Sequence, residues 1–230
     1  MLRSIRYAEA DRILHLYSAR RGRVNAIAKG VRKPRSRFGG RLEPFFRLDL
    51  ILHEGRGELL TVTNVATVDG YPRLRSSAPA LNAGARACDA VLRLLDATEP
   101  NPHAYNLLCR YLAQLDDPVE GRAAGIETAL AFRLKLALAA GFAPELASCA
   151  RCGEAEHLSG FSGAAGGVVC SACEAGSFPL SESAHRFMVE AIARPLAEAP
   201  QAGERDLRQV ERAVRETLEH HAHVQLRSAA

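Results

Sequence analysis

The chain has 230 residues, 47% of them hydrophobic, which is enough for one large domain or two to three small ones with real cores. No apolar run reaches the roughly 18 residues that span a bilayer, and the charged first eleven residues lack the apolar centre of a secretory leader. These features set aside the membrane classes and lead us to expect a cytoplasmic protein. The net charge of +4 hides an asymmetry: residues 1–47 hold 13 Arg or Lys against Glu9, Asp11 and Glu43, a local +10, so the remainder sums to −6. One end is built to meet a polyanion. Membrane contact is the weaker reading, because the basic stretch has no apolar helical face.

In chain order, the first seventy residues read as five short strands. Arg12–Ser18 is an extended run, Gly22 supplies a turn, and Val24–Ala28 continues. Leu48, Leu50 and Leu52 alternate with Asp49, Ile51 and His53 at the period of a half-buried strand. Glu54-Gly55-Arg56-Gly57 is a turn signal leading into Leu59–Val68, so these two runs form a hairpin. The economical arrangement is a small closed barrel of the five-stranded OB type over residues 1–76, an architecture whose grooved face commonly binds nucleic acid.

Inside that region lies the most polar stretch of the chain. Arg20, Arg21, Arg23, Lys29, Arg32, Lys33, Arg35, Arg37, Arg41 and Arg47 face a single anion, Glu43. Glycines and Pro34 prevent one long helix, so the segment reads as a short strand followed by a mobile basic loop. Such a loop repels itself unless a polyphosphate lies against it. The first nine cations, Arg20 to Arg41, are therefore the candidate DNA contacts. Phe38, Phe45 and Phe46 interleave with them and are available for base stacking, with barrel packing an equal reading for Phe45 and Phe46. The bland alternative is a solubilising loop, which the ten-to-one charge ratio disfavours.

From Ser77 the period becomes helical. Pro79 suits a first turn, and Leu81, Ala85, Cys88, Val91, Leu92 and Leu95 form a stripe. Asn101-Pro102 starts a second helix with Leu107, Leu108, Tyr111, Leu112 and Leu115 on one side. A third, from about Arg122 to Ala140, carries Ile126, Leu130, Leu134, Ala137 and Leu138. It is apolar nearly all round, as a central helix would be, and Gly141 caps it. Ser181 caps a further helix with Phe187, Met188, Ile192 and Leu196. Glu204 to about Leu226 forms a charged terminal helix with Leu207, Val210, Val214 and Leu218 as a seam. The expected class is α+β: the barrel, a helical domain over 77–147 and 178–230, and an insertion at 148–177.

The insertion holds Cys149-Ala-Arg-Cys152 and Cys170-Ser-Ala-Cys173. Seventeen intervening residues place the two pairs at zinc-ribbon spacing. Four thiolates close a tetrahedral site, so one structural zinc is expected, supplying folding free energy to a segment with little core of its own. A metal-free quartet, or His157 as a substitute ligand, is the competing reading. Cys88 and Cys109 read as small core residues, and His220, His221 and His223 as a solvated helix end. No catalytic constellation and no Walker glycine loop is present, so no enzymatic activity is expected.

Several runs together give the chain a family look: Tyr7-Ala-Glu-Ala-Asp-Arg-Ile-Leu, Gly22-Arg-Val-Asn-Ala-Ile-Ala-Lys-Gly30, Arg32-Lys33-Pro34-Arg35-Ser36-Arg37-Phe38-Gly39, Leu42-Glu-Pro-Phe, Gly57-Glu-Leu-Leu-Thr, Phe132-Arg-Leu-Lys-Leu, and Gly141-Phe-Ala-Pro144 ahead of Cys149–Gly153. With these the sequence resembles the RecO family of bacterial recombination mediators over nearly its whole length. The resemblance implies an OB barrel, a helical domain and a zinc element. It also implies binding of single- and double-stranded DNA, annealing of complementary strands, and work with RecR and SSB to load RecA onto coated DNA. A protein-recruiting scaffold with incidental DNA contact, and an unrecognised nuclease, are the alternatives from other classes. The four-sulfur site argues against the nuclease.

Overall fold

The computed structural model describes residues 1–55, 57, 59–95, 99–117 and 123–229. They fall into two compact units, residues 1–118 and 119–230.

The N-terminal unit is built on β1 (Arg3–Tyr7), β2 (Asp11–Ser18), β3 (Gly22–Ala28), β4 (Arg47–His53) and β5 (Leu60–Asp69), in the spatial order β1-β2-β3-β5-β4. All neighbours are antiparallel except β3 and β5, which meet in parallel at two pairs, Ala26 with Leu60 and Ile27 with Thr61. Alternation along β2 and β3 points Leu14, Leu16, Ala26 and Ala28 inward, where Val62 and Val65 of β5 meet them. The β4–β5 hairpin forms as expected, with Arg56 and Glu58 outside the described residues.

The sheet is OB-like, and it departs from the expected closed barrel. Among the described residues no ladder joins β1 to β4. Instead, the Phe45 amide donates to the Met1 carbonyl (2.9 Å) and the Met1 nitrogen to the Phe46 carbonyl (2.6 Å). β1 is left as an edge, with four of its five residues exposed, Ile5 and Tyr7 among them. The same exposure explains why β1 carries no alternation that a sequence reading can detect.

Three helices complete this unit: α1 (Pro72–Ser76), α2 (Ala78–Leu94) and α3 (Pro102–Asp116). The Asn101 side chain accepts from the Ala104 amide at 3.0 Å, capping α3 as its sequence predicts. The buried face of α2 keeps Cys88, Val91 and Leu95 of the expected stripe but turns away from Leu81 and Ala85. Leu81 is 38% exposed, whereas Ala80, Ala83, Gly84, Ala87, Cys88 and Val91 are buried. Small residues let α2 approach closely: a Cβ on Gly84 would already touch Leu112 and Phe45 at 3.4 Å.

The C-terminal unit contains α4 (Ile126–Ala139), α5 (Glu182–Ala193), α6 (Glu204–His221) and a ribbon of β6 (Leu158–Ser162), β7 (Gly167–Cys170) and β8 (Phe178–Pro179) in the order β7-β6-β8. The third helix therefore begins at Ile126; the expected start near Arg122 lies outside the described residues. α4 is buried on nearly every side, including Arg133, as its apolar sequence predicts. Leu138 is the exception at 50% exposure. The Ser181 hydroxyl accepts from the Ala184 amide (3.1 Å) and caps α5, and the seam of α6 is buried from Leu207 to Leu218. No helix among the described residues is long and apolar enough to cross a membrane.

Gly22, between β2 and β3, has φ +60°, and a Cβ there would lie 2.5 Å from the Glu99 carbonyl oxygen. Gly40 has φ +74° with open space around it. Gly22→Ala is expected to destabilise the N-terminal unit by about 3 kcal/mol, from strain plus collision, and Gly40→Ala by only about 1 kcal/mol, from strain alone. Denaturant titration of both variants checks the difference.

Candidate nucleic-acid interface and metal centre

Between β3 and β4 the chain makes successive tight turns, with Lys33, Ser36, Arg41 and Phe46 amides donating to carbonyls three residues earlier. It is pinned from inside: Phe38 and Leu42 are each 1% exposed and belong to the core of the sheet. Phe38 is therefore a packing residue, unavailable to a base. Phe45 is also buried, and half-buried Phe46 has Arg75 over its ring at 4.8 Å.

The candidate cations divide by what holds them. Arg41 donates to the carbonyls of Phe38 (2.9 Å), Arg37 (2.9 Å) and Val65 (3.3 Å), and Arg37 to that of Val62 (3.2 Å). These two fasten the turns to β5. Arg32 donates to the Glu9 carbonyl at 3.0 Å. Half-buried Arg23 reaches the Leu92 carbonyl at 3.4 Å. Of the nine, Arg21 alone pairs with a carboxylate among the described residues, at 3.3 Å to Glu54, with both side chains exposed. The side chains of Arg20, Lys29, Lys33 and Arg35 are exposed and make no hydrogen bond or ion pair among the described residues. The one acid of the stretch, Glu43, is taken by Arg12 from β2 at 3.0 Å. Carbonyls orient guanidinium groups without cancelling their charge, so the face stays strongly positive.

The same unit holds a cavity of about 600 Å³. Arg20, Arg21 and Arg47, from the two ends of the cationic stretch, line it with one acid, Asp49. Tyr17 and Tyr71 are buried in its wall, and Phe46, Tyr105 and Cys109 are half-buried. Arg47 and Cys109 are the neighbours of Tyr105 in this wall. Burial and the neighbouring thiol push the Tyr105 phenol up, so it stays protonated. The sequence reading did not single out these tyrosines, which belong to no motif. A usable signal was present on α3, where Tyr105, Leu108, Cys109 and Leu112 make a second stripe beside the recognised one.

In the C-terminal unit the two CxxC pairs converge. The four Sγ atoms of Cys149, Cys152, Cys170 and Cys173 all lie within 4.8 Å of one another, and Cys152 and Cys170 are 3.7 Å apart. A tetrahedral zinc with bonds of about 2.3 Å puts its sulfurs roughly 3.8 Å apart, so the quartet fits such an ion. Each turn is tied down: the Gly153 amide donates to the Cys149 carbonyl (2.8 Å), and Arg151 to the Cys173 carbonyl (2.7 Å), joining the two knuckles. The Cys170 amide, with those of Arg151 and Cys152, holds the Cys149 thiol down to about 6; neighbouring Cys152 and Cys170 push Cys173 up to about 12. Four adjacent thiols cannot all ionise unaided, and a divalent cation supplies the missing positive charge. The ribbon's own core is small: Cys149, Val169 and Cys170, with Leu158, Ala165 and Cys173 beside them.

His157 is not part of this cluster; its ring is exposed beside Glu156. His221 bonds the Gly163 carbonyl at 2.8 Å, fixing the ribbon's hairpin to α6. Cys88 is buried as expected.

Comparison with known proteins adds to this geometry. The N-terminal model of recombination protein O matches residues 1–71, and its C-terminal model matches residues 75–230. The chain belongs to the RecO family. The DNA repair protein RecO of Rubrobacter xylanophilus is 42% identical over 205 residues, covering 86% of this chain and 81% of its own. That of Anaeromyxobacter sp. strain K is 34% identical over 235 residues, 96% and 89% respectively. That of Thermobifida fusca is 36% identical over 209 residues, 90% and 84%. Within this RecO chain the cationic turns, the aromatic cavity and the sulfur quartet are the features with chemistry to offer.

Because the Cys152 and Cys173 thiols are pushed up by their sulfur neighbours and keep their protons at neutral pH without metal, zinc uptake must displace protons. Adding zinc to the metal-free protein in weak buffer at pH 7 is expected to acidify it, and zinc affinity is expected to fall as pH drops toward 6. Indicator-dye titration with metal analysis checks both, and Cys152→Ser is expected to remove the bound metal.

Proposed function

We propose that this chain is a DNA repair and recombination mediator. It binds single- and double-stranded DNA through the cationic turns, anneals complementary strands and, with RecR, helps load RecA onto SSB-coated DNA. It performs no covalent chemistry and works in the cytoplasm, at the nucleoid. The observation that carries this reading is the cationic stretch, whose arginines are oriented by neutral carbonyls while its single acid is paired elsewhere. Two DNA strands repel; a surface that neutralises both lets pairing proceed, and the bases supply the specificity. Contacts to phosphate carry no sequence code, so binding is tolerant of sequence. Membership of a family whose relatives are named DNA repair proteins supports the same reading. One structural zinc, held by Cys149, Cys152, Cys170 and Cys173, fixes the ribbon and takes no part in chemistry at the DNA.

The residues on which DNA contact rests separate from those that hold the turns together. Changing Lys29, Lys33 and Arg35 to Ala is expected to leave the fold intact, to weaken all single strands alike, and to reduce the salt slope of binding by about 2. Annealing of complementary oligonucleotides should slow in parallel. Arg41→Ala, which removes three internal contacts, is expected to lower thermal stability as well. Affinity and slope unchanged in the triple variant would move the DNA site elsewhere.

A further inference from the structure

We propose that the cavity of the N-terminal unit receives one unstacked base of a bound DNA strand. The inference rests on the DNA-binding reading and adds what the cationic turns lack, a place for a base. Three observations carry it.

The first is position. Arg20 and Arg47, the first and last cations of the stretch, both line the cavity, so a polyanion lying along that stretch passes its mouth. The second is lining. The half-buried ring of Tyr105 is aromatic surface of the kind on which bases stack, and such stacking tolerates any sequence. The third is size and charge. About 600 Å³ is within the range of small-ligand sites, and three arginines against Asp49 favour a group that arrives with phosphates. Arg47 lines the same cavity beside Tyr105, where a flanking phosphate would meet it. In a duplex each base is paired and stacked, and extruding one has a cost. The cavity therefore selects single strands, whereas the cationic turns act on either form.

Cys109 lines the cavity and is half-buried, Cys88 is buried, and the other four cysteines form the quartet. Alkylation of Cys109, located by peptide mapping on the full zinc-loaded chain, therefore reports occupancy. A saturating thymidine 20-mer is expected to slow the reaction about tenfold. A base-free phosphodiester strand of the same length and a blunt duplex, both saturating, should leave it unchanged. Tyr105→Leu, which keeps apolar volume on α3, is expected to weaken single-strand affinity about tenfold, the loss of one stacked base, with the same salt slope and unchanged duplex affinity. The proposal is overturned if the 20-mer gives no protection, if the base-free strand or duplex protects equally, or if Tyr105→Leu binds single strands normally. In those cases binding through the turns stands. A chain that bound no oligonucleotide would overturn both.

Discussion

Everything in the cationic segment depends on how guanidinium groups are satisfied without being neutralised. A carboxylate partner would fix an arginine and cancel its charge together. A main-chain carbonyl fixes it and leaves the charge standing. Arg23, Arg32, Arg37 and Arg41 all take the second course. The self-repulsion of so many like charges is offset by burying Phe38 and Leu42 beneath them. Rigid positioning and free charge thus coexist in one segment, which is what contact with a polyphosphate requires.

The two halves of the chain were legible to different degrees. The sulfur quartet was plain, since CxxC pairs at ribbon spacing have few other uses, and the geometry brings all four sulfurs together. Strands with strict alternation were also plain. β1 was not, because an exposed edge strand needs no apolar period. The face of α2 was half legible: Cys88, Val91 and Leu95 are buried as its stripe implied, but close packing selected Ala80, Ala83, Gly84 and Ala87 in place of Leu81 and Ala85. Leu138 shows the same limit: apolar residues on every side of α4 cannot say which of them faces water.

The cationic stretch was recognised by composition but not by role. Counting charges could not tell Arg41, spent on three carbonyls, from Lys33, which reaches into solvent. Nor could it show that Phe38 belongs inside. The aromatic cavity was missed because its walls come from strands, a turn and a helix far apart in sequence, so no short motif marks them.

The parallel seam between β3 and β5 has one more implication. It consists of two residue pairs, and the chain that connects its sides is largely the cationic segment. The β1–β2–β3 meander and the β4–β5 hairpin are each local and quick to form, whereas the seam must wait for a long loop to close. Arg37 and Arg41 bridge that loop to β5 and act as its latch. Amide exchange should therefore be faster along this seam than along the seven-pair β2–β3 ladder, and a polyanion gripping the latch would be felt as a change in how readily the sheet breathes.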